Sequence, residues 1–374
     1  MNRSITRRQW FRRAAGAAAG VAVAPQVLTA RPVGTRRSPP VDGLIRLSSN
    51  ENPYGPSPKA RAAMQAAFDE AWRYPYAGAV EDFVALIAER EGVTPEHVIV
   101  GGGSSEILHA TGMAYGLHGG ELLAANPTYE GMPRYAGKVG AYTHRVSLTD
   151  DLVHDLAAMD RRITPAVKLV FVCNPNNPTG TVVDPETHRD FISSVSRRAV
   201  VFVDEAYIEL TDDPAAHTMV DLVRHDYNVI VSRTLSKIHG MAGARVGYAL
   251  ARPDIAERVR TFGMAGSNVM GLRGAIASLQ DAEFQAFSRQ KMAEGRQLIY
   301  RLCDEMGYRY AASQTNFVFF QTGKPIDVFQ RGMQDQGILV GRPFPPYLDW
   351  ARVSIGTEQD MQAFATALPK VMAV

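Results

Sequence analysis

Lys237 stands in a setting suited to carbonyl chemistry. It follows an apolar run, Val229-Ile230-Val231, and a polar turn, Ser232-Arg233-Thr234-Leu235-Ser236. Glycines follow at 240 and 243, and Arg245 lies eight positions past the lysine. One amine beside hydroxyls and a guanidinium is what a phosphate-bearing carbonyl cofactor needs. The amine condenses with the carbonyl, and Thr234, Ser236 and Arg245 hold the phosphate. A solvated loop lysine is the plainer alternative, and two further stretches weigh against it. Ala199-Val200-Val201-Phe202-Val203 is a second apolar run, ending in Asp204-Glu205-Ala206-Tyr207. A carboxylate at the carboxyl end of a central strand is where open α/β sheets place ligand chemistry. A pyridinium nitrogen needs such a partner for its ring to act as an electron sink. Leu169 to Cys173, followed by Asn174-Pro175-Asn176-Asn177-Pro178-Thr179-Gly180, repeats the strand-then-polar-loop design.

These motifs carry a resemblance. NPNNPTG at 174–180, DEAY at 204–207 and SRTLSK at 232–237 with Arg245 resemble the fold-type I pyridoxal-phosphate aminotransferases of class I and II. NENPYGPSP at 50–58 is most similar to the histidinol-phosphate aminotransferase branch, and the likeness runs from about Leu44 to the C-terminus. It implies pyridoxal 5′-phosphate as cofactor and a homodimer as the working unit. It also implies that Lys237 is the Schiff-base lysine and Asp204 the partner of the pyridine nitrogen. Asn177 and Tyr207 would hydrogen-bond the phenolic oxygen, and Tyr129 would stack on the ring. Ser104, Ser105, Thr234, Ser236 and Arg245 would hold the phosphate, with Tyr74 reaching the neighbouring subunit's phosphate. Arg352 would clamp the substrate carboxylate. Arg342 is a second candidate for a substrate tail, and Asn52 in the N-terminal arm is a third substrate-side residue.

The elements that must position these residues read as α/β: a large domain with a mostly parallel sheet flanked by helices, and a smaller α+β C-terminal domain. Apolar runs expected as strands alternate with helices, the pattern of covered parallel sheets. Ser57-Pro58 opens a helix by capping logic, as does Asp184-Pro185. Gly101-Gly102-Gly103 between a strand and a helix offers main-chain N–H groups to a phosphate. Residues 273–306 are expected as one long helix or two broken by a kink, and Thr357 caps the last. The boundaries expected are an export signal and linker over 1–40, an arm and helix over 41–72, a cofactor-binding domain over 73–262 and a small domain over 263–374.

The bulk numbers exclude some classes. Hydrophobic content of 46% and charged content of 21% fit an ordinary soluble domain. Net charge is +2, but residues 1–30 carry Arg3, Arg7, Arg8, Arg12 and Arg13 and no acid. The remainder is net acidic, which argues against a nucleic-acid partner. Two cysteines and nine histidines show no metal-ligand spacing. Cys173 reads as a core residue and His239 as a turn-surface residue. Paired arginines, Trp10-Phe11 and an Ala-rich run resemble a twin-arginine export signal, too short and weak to span a membrane. That places the chain in the periplasm or outside the cell, or in the cytoplasm if the leader is not used. An aminotransferase is therefore the expectation. The rivals are a decarboxylase of a phosphorylated amino acid on the same scaffold and an exported binding protein on a disused fold. Export conflicts with histidinol phosphate, a cytoplasmic intermediate, and points to another amino acid.

Overall fold

The computed structural model describes residues 43–74, 78–264 and 266–373, all within one compact unit, Val33–Val374. The leader and its export motif lie outside the described residues. The chain opens with a short strand, β1 (Ile45–Leu47), and then builds a seven-stranded sheet. Its strands are β2 (Val98–Gly101), β3 (Glu121–Asn126), β4 (Tyr142–Ser147), β5 (Val167–Cys173), β6 (Val200–Asp204), β7 (Val229–Thr234) and β8 (Gly247–Ala251). The spatial order is β2-β8-β7-β6-β5-β3-β4, and β8 runs antiparallel to both of its neighbours. The other pairings, β7-β6-β5-β3-β4, are all parallel.

The apolar runs behave as sequence period predicts. On β5 and β6, Val170, Val172, Val201 and Val203 face one cluster with Phe83, Ile87, Ile192 and Leu272. Leu169, Phe171 and Phe202 face the opposite one with Ile107, Leu108 and Ile255. Both faces are therefore covered, and alternate side chains serve different cores. Helix starts follow their caps. Ser57 Oγ accepts from the Ala60 N–H at 3.1 Å, and Asp184 Oδ1 from the Thr187 N–H at 2.9 Å. The helix Pro58–Ala66 ends earlier than the expected Trp72, passing into a 3-10 turn, Ala67–Glu70.

The stretch 273–306 resolves into two helices, Val269–Leu279 and Ala282–Met306. Asp281 makes the break by capping the second, its carboxylate also 3.2 Å from Lys59. The first helix packs into the core beside the large sheet through Leu272, Ala275 and Leu279. The second belongs to the C-terminal cluster with Phe317, Phe320, Phe329, Val353 and Phe364. There β9 (Phe317–Gln321) pairs antiparallel with β11 (Trp350–Ser354). β1 joins β10 (Ile338–Val340) in parallel, so the N-terminal arm is stitched to the C-terminal domain. Beyond β1 the arm crosses the Lys237 loop at main-chain contact: a Cβ on Gly55 would lie 2.5 Å from the Cα of Gly240. Only glycine fits there.

One buried ion network ties β6 to β7. Arg233 is 7% exposed, Glu205 0% and Glu91 5%. Arg233 Nη1 donates to Glu91 at 2.8 Å, Nε to Glu205 at 3.1 Å and Nη2 to Thr218 at 2.8 Å. Removing the cation would leave two carboxylates facing each other without water. Arg233→Ala is expected to cost about 3–5 kcal/mol, read as a lowered urea midpoint of unfolding.

Candidate active site

The carboxyl ends of five strands open into one cleft of about 600 Å³. It is lined by Ser104, Ser105, Tyr129, Asn177, Asp204, Tyr207, Thr234, Ser236, Lys237, Arg245, Arg342 and Arg352, all expected from sequence. β6 ends in Asp204 and β7 in Thr234, so the acid and the lysine hang from neighbouring strands. β2 and its glycines feed the helix Ser104–Gly116, whose first residues face the cleft beside Arg245. Gly103 has φ +83°, and a Cβ on it would collide with the Arg245 guanidinium. Arg245 donates to the carbonyls of Ala242 at 2.9 Å and Gly102 at 3.1 Å, which points the fork across the helix N-terminus.

Burial tunes the central groups of the cleft. The Asp204 carboxyl is pushed up to about 6, chiefly by burial, against the hydrogen bond from Ser232 Oγ at 3.0 Å. The Lys237 amine is brought down to about 8, first by burial and then by the Arg352 cation. Its Nζ donates to the Asn50 carbonyl at 3.1 Å and sits 5.4 Å from the centre of the Tyr207 ring. Burial also raises the Tyr207 phenol and lowers Arg352 to about 10. Arg352 donates to Asn177 Oδ1 at 2.7 Å and to the Ser48 carbonyl at 2.7 Å, while its buried Nε has no hydrogen-bond partner. Asn177 Nδ2 in turn reaches Tyr207 Oη at 3.5 Å.

Two expectations need correction. Asn52 does not line the cleft. Its amide donates to the Ile238 carbonyl at 2.7 Å and Ser288 Oγ at 3.0 Å, and its oxygen accepts from the Tyr54 N–H, so it anchors the arm. His239 is not a surface residue; it is 1% exposed and hydrogen-bonded to Ser278 at 2.9 Å. Tyr74 is 83% exposed and outside its own chain's cleft. Cys173 is buried, as expected, but also contributes to the cleft lining. Sequence reasoning missed Ser48, Glu51, Gln330 and above all Asn50, which opens the NENPYGPSP motif without a role assigned to it and sits at φ 53°, a conformation asparagine tolerates.

The donor set fits pyridoxal phosphate. Asp204 is a buried carboxylate with only hydroxyl and main-chain hydrogen-bond partners, and a ring cation would relieve it. Tyr129 presents an aromatic ring to the cleft, and hydroxyls, helix N–H groups and Arg245 gather at one end as a dianion requires.

The model of the family "Aminotransferase class I and II" matches residues 42–368. A histidinol-phosphate aminotransferase of Moorella thermoacetica is 36% identical over 89% of this chain and 86% of its own length. An aromatic amino acid aminotransferase of Mycobacteroides abscessus is likewise 36% identical, over 87% of this chain and 92% of its own. The crystal structure of histidinol-phosphate aminotransferase from Sinorhizobium meliloti in complex with pyridoxal-5′-phosphate superposes with a TM-score of 0.79. That match has 29% identity and covers 88% of this chain and 91% of the other. The chain belongs to the class I and II aminotransferases and is a pyridoxal-phosphate-dependent enzyme of that family.

Proposed function

We propose that the chain is an exported homodimeric aminotransferase moving an amino group between an aromatic amino acid and a 2-oxo acid. The observation that carries the substrate side is the unpartnered, buried Nε of Arg352 at the cleft wall. A guanidinium binds a planar carboxylate side-on through Nε and one Nη, and Arg352 keeps that edge available. Phe344 lies under the guanidinium groups of both Arg352, at 4.9 Å, and Arg342, at 4.3 Å. Phe344 is itself buried, and the two guanidinium groups it backs line the cleft, where they can stack on an aromatic side chain. The likeness to an aromatic amino acid aminotransferase supports the same choice. Exposed Phe68, Trp72 and Tyr74 form an aromatic surface suited to a second copy, with Tyr74 serving its partner's phosphate cup. The paired Arg7 and Arg8 support export.

Bound pyridoxal phosphate supplies a ring that takes up the electrons released when a proton leaves the substrate α-carbon. The chain's own residues do the rest. Ser104, Ser105, Thr234, Ser236 and Arg245 would hold the phosphate, Tyr129 the ring face, and Asp204 the ring nitrogen in its protonated form. Arg352 holds the substrate carboxylate and thereby aims its α-hydrogen. Lys237 accepts and returns a proton at Nζ, a task open only to the neutral amine. A value near 8 makes that form accessible close to neutrality.

In the cofactor-free protein, capture of Lys237 by an aldehyde reagent should rise with pH through about 8 rather than through about 10.4. The Arg352 cation lowers this amine and Glu51 raises it. Arg352→Gln should therefore move the midpoint up and Glu51→Gln move it down, as followed by peptide mass spectrometry. Lys237→Ala is expected to lower kcat by at least about 10²–10⁴-fold. Donor screening against 2-oxo acids should show faster turnover with phenylalanine or tyrosine than with histidinol phosphate; the reverse order would refute the substrate assignment. Arg7→Lys with Arg8→Lys should leave the protein inside the cell in a fractionation assay.

A further inference from the structure

Asn50 lines the cleft, yet none of the roles above requires it. It is 2% exposed and held at φ 53°. Its main-chain N–H donates to Ser354 Oγ at 2.8 Å, and the same hydroxyl donates to Asn50 Oδ1 at 2.9 Å. The serine hydroxyl accepts from the N–H and gives its proton to the amide oxygen, so Nδ2 faces the other way and donates to Tyr207 Oη at 3.0 Å. Asn177 is locked in the same sense, because Arg352 Nη1 occupies its oxygen at 2.7 Å and leaves its nitrogen toward Tyr207. Two amide nitrogens therefore donate to one phenol oxygen. The phenol's own hydrogen is repelled from both and can serve only as a donor into the cleft.

Both locks come from one strand. Arg352 and Ser354 are two apart on β11 and share a face. The Asn50 carbonyl meanwhile accepts from Lys237 Nζ at 3.1 Å and from Asn316 Nδ2 at 2.9 Å. We propose that Asn50, locked by Ser354, is a positioning residue for this reaction: its amide aims the Tyr207 O–H into the cleft, and its carbonyl seats the Lys237 amine. The inference rests on the cofactor reading given above, with the Tyr207 hydroxyl donating to the ring oxygen.

Weakening that donation leaves the ring oxygen more negative, so the bound cofactor keeps its shared proton to higher pH. The test is the pH midpoint of the visible absorption band of the full-chain holoenzyme. Asn50→Gly keeps the left-handed backbone and the carbonyl and deletes only the amide. Ser354→Ala keeps the amide but frees it to rotate. Each should raise the midpoint by about 0.5–1 unit, the size of one modest hydrogen bond. Each should lower kcat about three- to tenfold, with KM for the amino donor within about twofold because Arg352 is intact. In a Tyr207→Phe background, Asn50→Gly should produce no further shift. An equal shift in both backgrounds, or none in either, overturns the inference. A wild-type protein that takes up no chromophore overturns the cofactor reading, and this inference with it.

Discussion

Asp204 and Lys237 must be held a fixed distance apart in one cleft, and the chain meets that constraint at the ends of two adjacent parallel strands. Ladder bonds between β6 and β7 set the register, with Asp204 opposite Ser232. Side-chain alternation then divides the work. Asp204 points into the cleft with Ser232 bonded to it on the same face, while Glu205 and Arg233 point the other way into the buried ion network. Asp204 therefore stays outside that ion network and is held by the Ser232 hydroxyl instead of a salt bridge. The same separation leaves Asp204 short of positive charge, which suits it to a protonated ring nitrogen.

Much of this was legible in the sequence because the chemistry is local to strand ends. Apolar runs ending in DEAY or feeding SRTLSK announce both the strand and the functional group at its tip, and the parallel order brings those tips together. Arg352 could be named only through the family resemblance, and the structure then sets it within a strand, β11, at the cleft wall. Elements whose partners are distant in sequence were less legible. Asn52 belongs to a motif, but its bonds go to Ile238 and Ser288, so its role is set by where the arm lands. His239 follows a polar turn and reads as exposed; the arm crossing at Gly55 and the helix carrying Ser278 bury it.

Asn50 shows the limit most sharply. Its hydrogen-bond partners Tyr207, Lys237, Asn316 and Ser354 come from sequence regions more than a hundred residues away. An arm with no regular structure beyond β1 gives no periodicity from which to infer such convergence. Its left-handed conformation is compatible with asparagine, but that tolerance also serves ordinary turns. The pairing of β1 with β10 helps bring the arm onto the C-terminal domain, and three-residue strands leave a faint trace in sequence.

The charges of the cleft explain why these pieces belong together. Lys237, Arg245, Arg342 and Arg352 face it against two acids, Asp204 and Glu51. A cleft so biased is costly while it holds only protein, and the cost shows in Lys237 and Arg352, drawn below their usual ranges by burial and by neighbouring cations. A phosphate at the helix end and a carboxylate at Arg352 supply the missing negative charge at the two places where the cations concentrate. Lys237 lies between them, and the field of Arg352 helps keep its amine neutral. When a substrate carboxylate pairs with Arg352, that field weakens and the amine's proton affinity rises. On the proposed role of Arg352, substrate binding at one wall of the cleft would thus raise the proton affinity of the Lys237 amine and couple recognition to proton transfer.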